Sequence, residues 1–411
     1  MNLFRHSLHV LAAASLAFGV SAIAQQNPIP PKPVPNPAPA PAAMQVPVPP
    51  PPDVDARSWV LMDYATGQIL ASKEADTRVV PASITKVMTD YVISAQIASG
   101  KIHLTDQVSI SEHAWRAGGA GTDGSTSFLQ LNSQVPLKDL LYGMIIQSGN
   151  DAAIALAEHT AGSEDTFASL MNAYAKQLGM VNSHFVNASG YPVDNHYTTA
   201  HDIAILTRAL IHDYPDDYAI SAIKEFEWNG IKQGNRNTLL WRDPTVDGVK
   251  TGHTAEAGFC LDASAKRGDE RMIAIVMGAS SEKARADSAI ALLNYGFRFF
   301  ETHKLYEAGK ALSTPRLWKG EDNQLPLGVA QDVLVTVKTG DYDKLKAVMD
   351  IPSTLIAPFK KGQQVGTLHV TEDGQIIEDV PLIALNDAPQ GGFFKRLWDT
   401  ILLWFHGSGK K

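Results

Sequence analysis

The chain has 411 residues, 45% of them hydrophobic and 19% charged, which is enough apolar material for a sizeable core and too much for a disordered polymer. Its formal net charge of −8 has the wrong sign for a general nucleic-acid binder, which needs a basic surface. The single cysteine, Cys260, excludes an intramolecular disulfide framework and any metal site built from several cysteines.

Residues 1–24 have the form of a secretory signal peptide: Arg5 in a short leading region, an apolar run from Leu8 to Val20, and the small pair Ala22 and Ala24 before Gln25. An uncleaved membrane anchor is the alternative; a lipoprotein would need a cysteine at the cleavage point, and none is there. Residues 25–54 form a proline-rich linker. Thirteen of the 24 prolines lie between Pro28 and Pro52, a density that forbids helix interiors and central strands. Extended polyproline II at about 3.1 Å per residue makes this a tether of roughly 80 Å. A ligand for a proline-reading module is the alternative, and folded material is expected from near Asp53.

From Ser58 the pattern is that of a folded domain, spanning 55–303. Trp59 to Asp63 and Gln68 to Ser72 read as strands joined through Ala65-Thr66-Gly67. A helix begins after Pro81, and others are expected at Leu137–Leu156, Ser163–Leu178 and Thr199–Ile211. Strands return at Phe259–Ala265 and Arg271–Met277, followed by a closing helix from Lys283 to Phe300. Strands at both ends with helices between them predict an α/β (α+β) domain whose sheet unites distant segments. Residues 304–388 then show short β-type runs at Val333–Val337, Leu345–Ile351, Leu355–Pro358, Val365–Val370 and Ile376–Leu385, which predict a small all-β domain.

Residues 389–411 end the chain differently. Phe393, Phe394, Leu397, Trp398, Ile401, Leu402 and Phe405 recur at helical spacing opposite Lys395, Arg396, Asp399 and Thr400, giving a C-terminal amphipathic helix. Its longest apolar run, Ile401 to Phe405, is far below the ~20 residues that span a bilayer. Its basic charge and aromatic content suit a membrane-anchor helix lying on anionic lipid; docking on the β-domain is the alternative.

Three short motifs carry chemistry. Ser83-Ile84-Thr85-Lys86 places a serine and a lysine on one face of a helix start, where a neutral lysine can take the serine's proton. Ser221 to Lys224 and Ser280 to Lys283 repeat the spacing, so the motif alone is weak. Order separates them: Ser83 is followed by Ser148-Gly149-Asn150 and then by Lys250-Thr251-Gly252, a triple that penicillin-binding proteins and class A β-lactamases share. Lys338-Thr339-Gly340 is a second copy of the last motif, expected to be a turn in the β-rich region.

With the blocks Ile145 to Ala152, Arg236-Asn237 with Leu239-Leu240-Trp241, Asp247 to Thr254, Tyr295 to Thr302 and Gly391 to Phe394, the chain resembles the low-molecular-mass D-alanyl-D-alanine carboxypeptidases of the penicillin-binding protein 5 and 6 type. The resemblance runs from Asp53 to His406. It implies a penicillin-recognising transpeptidase/β-lactamase-like catalytic domain on the periplasmic face of a bacterial inner membrane, acting on peptidoglycan stem peptides and inhibited by β-lactams. Ser83 would be the nucleophile, Lys86 its base with a pKa depressed by Lys250, Ser148 a proton relay, and Asn150 a hydrogen-bonding partner of Lys86 and substrate. Lys250, Thr251 and Gly252 would bind the substrate's terminal carboxylate and backbone, and the amides of Ser83 and His253 would form the oxyanion hole.

For His253 the amide and the imidazole remain equal readings, and Arg236 and Arg285 are either carboxylate binders or surface ion-pair residues. The stretch Gly118–Ser127 would be a loop beside the site or an ordinary flexible loop. No cofactor and no metal are expected, since no ordered metal motif such as His-Glu-x-x-His occurs. A class A β-lactamase would need a glutamate to activate its water; Val181 to Asp194 has none. A D,D-endopeptidase and a non-catalytic wall-binding scaffold are the remaining alternatives. Where relatives of this type carry a cysteine after Ser-Gly-Asn, this chain has Ala153 and Ile154, and Cys260 reads as a small core residue.

Overall fold

The computed structural model describes residues 48–407 apart from 121 and 123; the expected signal peptide and most of the expected proline-rich linker lie outside the described residues. The expected hairpin forms as β1 (Ser58–Asp63) and β2 (Ile69–Lys73). Its turn is closed by Asp63 Oδ1, which accepts hydrogen bonds from the Thr66 amide and hydroxyl at 2.8 Å. With β3 (Val246–Thr254), β4 (Gly258–Arg267) and β5 (Glu270–Ala279) the hairpin makes one antiparallel sheet of order β2-β1-β5-β4-β3. Chain ends some 200 residues apart are thus zipped together, Ser58 opposite Met277 and Asp63 opposite Met272.

Strand alternation divides the core. Val60, Met62, Cys260, Ile273 and Ile275 face a layer formed by α1 (Thr85–Ala98), α2 (Leu137–Ile145), α3 (Asn150–Ala161), α4 (Glu164–Leu178) and α5 (Ala200–Asp213). Trp59, Leu61, Leu261 and Val276 face α6 (Glu282–Phe299) on the other side. Ser163, Thr199 and Ser281 cap their helices by accepting the amides of Thr166, Asp202 and Ala284.

Two expectations need correction. Leu137–Leu156 is not one helix: it breaks between Ile145 and Asn150, where Ser148 takes φ +69° and the Asn150 amide donates to Ser125 O at 2.8 Å. Folded material also starts a few residues ahead of the expected point near Asp53. Val48 and Val54 pack on the core beneath α6, and the Tyr295 hydroxyl donates to Pro49 O at 2.9 Å, so the end of the proline-rich stretch lies on the domain.

The polypeptide passes directly from α6 into β6 (Phe300–Tyr306), a strand the sequence reading divided at 303/304. It pairs with β7 (Val333–Lys338), while β8 (Leu345–Asp350), β9 (Gln364–Glu372) and β10 (Gln375–Ala384) form a second sheet with Leu327–Gly328. Lys338-Thr339-Gly340 is the turn after β7, with Gly340 at φ +88°. A chain of hydroxyls joins the two domains: Thr66 to Thr336 at 2.8 Å, Thr336 to Thr302 at 3.0 Å, and Thr302 to Asp63 Oδ2 at 3.1 Å.

The last helix, α7 (Phe393–Gly407), forms where the sequence predicts it and is amphipathic. It docks on the β-domain through its polar side. Asp399 is buried, accepting the Lys319 amide at 2.7 Å and Lys395 Nζ at 3.0 Å, while Lys395 also reaches Asn323 Oδ1 at 2.6 Å. Its apolar side faces outward, with Phe394 83% and Trp404 71% exposed. Among the described residues no helix is long and apolar enough to cross a membrane.

Candidate active site

Ser83 sits in a single helical turn, Ala82–Ile84, that leads directly into α1. Ala82 holds φ +48°, and the chain from Asn187 to Gly190 packs against it so closely that a Cβ on Gly190 would lie 1.8 Å from Ala82 O. That second segment is pinned from three sides. Asn187 Oδ1 accepts the amides of Ser189, Gly190 and Tyr191, Glu164 Oε1 accepts the Ala188 amide at 2.9 Å, and the Thr89 hydroxyl donates to Ala188 O at 2.7 Å.

Lys86, one turn after Ser83, is fully buried and makes three contacts: Ser83 Oγ at 3.0 Å, Asn150 Oδ1 at 2.7 Å and Ser189 O at 2.6 Å. Burial is the main reason its pKa falls from 10.5 to about 7; Arg236 pushes it further down, and Asp151 and Glu164 oppose the shift. Of the two causes the sequence offers, burial and the neighbouring cation Lys250, burial comes first. Lys250 is itself buried and pushed well below its ordinary value, by desolvation and then by Lys86, Arg236 and Arg285.

The break between α2 and α3 supplies Ser148 and Asn150, both buried. Asp151, next in line, organises the loop after Gly118. Its carboxylate accepts the amides of Ser127, Leu129 and Ala152 and the hydroxyl of Thr126 at 2.8 to 3.1 Å. The stretch from Thr126 to Leu129 is therefore tied to the site rather than free. Strand β3 closes the opposite wall: a Cβ on Gly252 would stand 3.1 Å from both Pro81 O and Ile84 Cγ1, so any larger residue would crowd this strand against the Ser83 turn. Lys250 Nζ donates to Thr251 O at 3.1 Å.

The remaining candidates divide. Arg285 is not a surface residue but lies buried in the first turn of α6, donating to Gly252 O at 3.2 Å, with Glu282 3.5 Å away. Arg236 is exposed between two buried asparagines, of which Asn235 holds Ser221 O and Ile223 O and Asn237 holds Gly248 O. The exposed His253 ring stacks on Phe259 at 4.0 Å. The competing motifs are engaged elsewhere: Ser280 Oγ donates to Asp55 and Lys283 pairs with Asp287, while Lys224 lies over the Trp241 ring.

Sequence reasoning missed the Ser189 carbonyl, Asp151, Glu164 and Asn187. A backbone oxygen leaves no mark in a sequence. Asp151 left one, as an acid directly after Ser-Gly-Asn within an apolar context.

A buried lysine bonded to a serine at a helix start, with Ser-x-Asn on one wall and a Lys-Thr-Gly strand on the other, defines the penicillin-recognising class of serine hydrolases. Residues 44–281 match the D-alanyl-D-alanine carboxypeptidase family and residues 300–390 the penicillin-binding protein 5 C-terminal domain. The chain belongs to the D-alanyl-D-alanine carboxypeptidase family. It is 46% identical to the D-alanyl-D-alanine carboxypeptidase DacC of Escherichia coli over 86% of this chain and 89% of that one. Penicillin-binding protein 5 of Haemophilus influenzae superposes with a TM-score of 0.80 at 42% identity, covering 83% of this chain and 99% of that one. Penicillin-binding protein D2 of Listeria monocytogenes in its ampicillin-bound form matches at TM-score 0.55 and 28% identity, covering 60% and 99%.

Proposed function

We propose that the chain is a serine-type D-alanyl-D-alanine carboxypeptidase that removes the terminal D-alanine from peptidoglycan stem pentapeptides through an acyl-enzyme, and that β-lactams acylate the same serine. The observation that carries this reading is the set of contacts around Lys86. In the neutral amine, two N–H bonds point at Asn150 Oδ1 and Ser189 O, which leaves the lone pair for the Ser83 hydroxyl proton. Near pH 7 a substantial fraction of Lys86 is in that form.

Ser83 Oγ attacks the carbonyl between the two D-alanines while Lys86 takes its proton. The developing oxyanion is held by the amides of Ser83 and His253, a role that leaves the His253 ring free to stack on Phe259. Ser148 passes a proton to the leaving D-alanine amine, and water then cleaves the ester. Lys250, Thr251 and Arg236 receive the substrate's carboxylate, which distinguishes a chain end from an internal peptide, and Gly252 admits the substrate backbone. Arg285 acts one step back, through the Gly252 carbonyl.

The wider assignment follows the same logic. A signal peptide (1–24) exports the protein, the linker spaces it, and the outward apolar side of α7 rests on the periplasmic face of the inner membrane. A β-lactamase is disfavoured because the segment beside Lys86 presents a backbone carbonyl, Ser189 O, to it, while the glutamate docked on that segment, Glu164, is engaged by the Ala188 amide. Fluorescent penicillin tests the reading: the wild type labels and Ser83→Ala does not. Labelling that persists in Ser83→Ala contradicts it.

A further inference from the structure

Asp262 is fully buried on β4, and the mechanism above gives it no part. Its Oδ2 accepts the Thr207 hydroxyl of α5 at 2.6 Å, while Oδ1 is buried without a partner. In the antiparallel register Asp262 stands directly opposite Lys250, as Cys260 stands opposite Gly252. Both belong to the sheet face turned toward the active site. Gly248 and Gly252, two residues either side of Lys250, press against Tyr218 and Ile84, and Cys260 and Ile275, the neighbours of Asp262 along and across the sheet, line the helical core. Directly opposed residues have Cβ atoms about 4.5–5.5 Å apart, so this carboxyl group is the nearest acid the sheet can offer to the Lys250 side chain.

The groups facing Lys250 are otherwise cationic: Lys86 from α1, Arg236 from the segment before the short helix Leu239–Arg242, and Arg285 from α6. Asp262 faces Thr207 and the apolar Ile275. Burial drives the two opposed groups toward their neutral forms, with the Asp262 carboxyl pushed up to about 8. A neutral amine is a poor receptor for a carboxylate.

We propose that Asp262 is a positioning residue that keeps Lys250 able to bind a carboxylate: as the ligand's carboxylate enters, one proton leaves Asp262 and one arrives at Lys250 Nζ. Amine plus carboxylic acid becomes ammonium plus carboxylate, so the site's proton count and the pair's net charge are unchanged, and no proton is drawn from solvent. Above the Asp262 pKa the pair loses this shared proton, and Lys250 must then draw one from solvent as it does in a chain without the acid. This inference rests on the proposed role of Lys250 in carboxylate recognition.

The test is the pH profile of acylation by benzylpenicillin, whose carboxylate stands in for that of the peptide. Wild type, Asp262→Asn and the volume-filling Asp262→Leu are compared from near pH 6 to near pH 9. The titration of Lys86 is common to all three and cancels in the ratio. The ratio of wild-type to variant rates is expected to rise by roughly tenfold across this range, with the variants near wild type at the acid end. A ratio that does not change with pH overturns the proposal, since a merely structural loss moves all pH values alike. Infrared difference spectra of the wild type give a readout that needs no variant: a buried carboxylic-acid C=O band should be lost on acylation near neutral pH, and its persistence overturns the proposal. If the wild type is not acylated at all, the functional reading itself falls, and this inference with it.

Discussion

Lys86 Nζ lies 3.0 Å from Ser83 Oγ, and the amine is held there by a residue pair from different parts of the chain, Asn150 and Ser189. Because the base must be neutral to accept the serine proton, and its pKa lies near 7 rather than 10.5, acylation should rise with pH through about 7. Below that it should fall by about tenfold per pH unit. Lys86→Met should lower the rate by roughly 10²–10⁴ at neutral pH. Stopped-flow acylation checks both; a profile flat from pH 5 to 9 would place the base elsewhere.

The close approach at Gly190 yields a paired prediction. Gly190→Ala puts a methyl group into Ala82 O, so the turn that carries Ser83 must shift. Displacements of about 1 Å cost on the order of 100-fold in rate. Gly100 has a similar backbone, φ +73°, but nothing within 4 Å of a Cβ. Gly100→Ala should therefore lose about 1–2 kcal/mol of stability and leave acylation kinetics unchanged. Equal rates for both variants would dissociate Gly190 from the site.

Asp151 anchors the loop beside the site with four accepted hydrogen bonds. Asp151→Ala strands three amides and a hydroxyl, each costing about 1–3 kcal/mol where water cannot reach. A lowered unfolding temperature should accompany slower penicillin labelling. Asp151→Asn, which keeps acceptor capacity on one oxygen, should fall between the two.

On α7 the exposed Phe394 and Trp398 belong to the side turned away from the β-domain, while Asp399 fixes the other side. Phe394→Ser combined with Trp398→Ser should weaken binding to anionic vesicles by roughly tenfold or more without changing D-alanine release in solution. Sedimentation with vesicles measures this. Unaltered binding would show that the contact with lipid lies outside this surface.

Much of this architecture was legible because local chemistry agreed with the fold. The β1–β2 hairpin follows from strand alternation and the Thr66-Gly67 turn, and Ser163, Thr199 and Ser281 mark helix starts by their capping oxygens. The break between Ile145 and Asn150 was hidden because apolar periodicity continues on both sides of it, while the left-handed Ser148 and the extended Gly149 interrupt the helix. The motif thus pointed to Ser148 and Asn150 without revealing the geometry that presents them. Phe300–Tyr306 was divided because its first residues also continue the α6 pattern. Partners such as Ser189 O were beyond reach, since carbonyls carry no side-chain signature, and the ordering of Val48 to Val54 depends on packing against α6.

The most direct test of the central claim is mass spectrometry of a synthetic stem pentapeptide ending in D-alanyl-D-alanine, incubated with the wild type and with Ser83→Ala. The account predicts loss of a single alanine residue with the wild type and an intact peptide with the variant. An intact pentapeptide with the wild type, cleavage confined to cross-linked dimers, or alanine release by Ser83→Ala would contradict it.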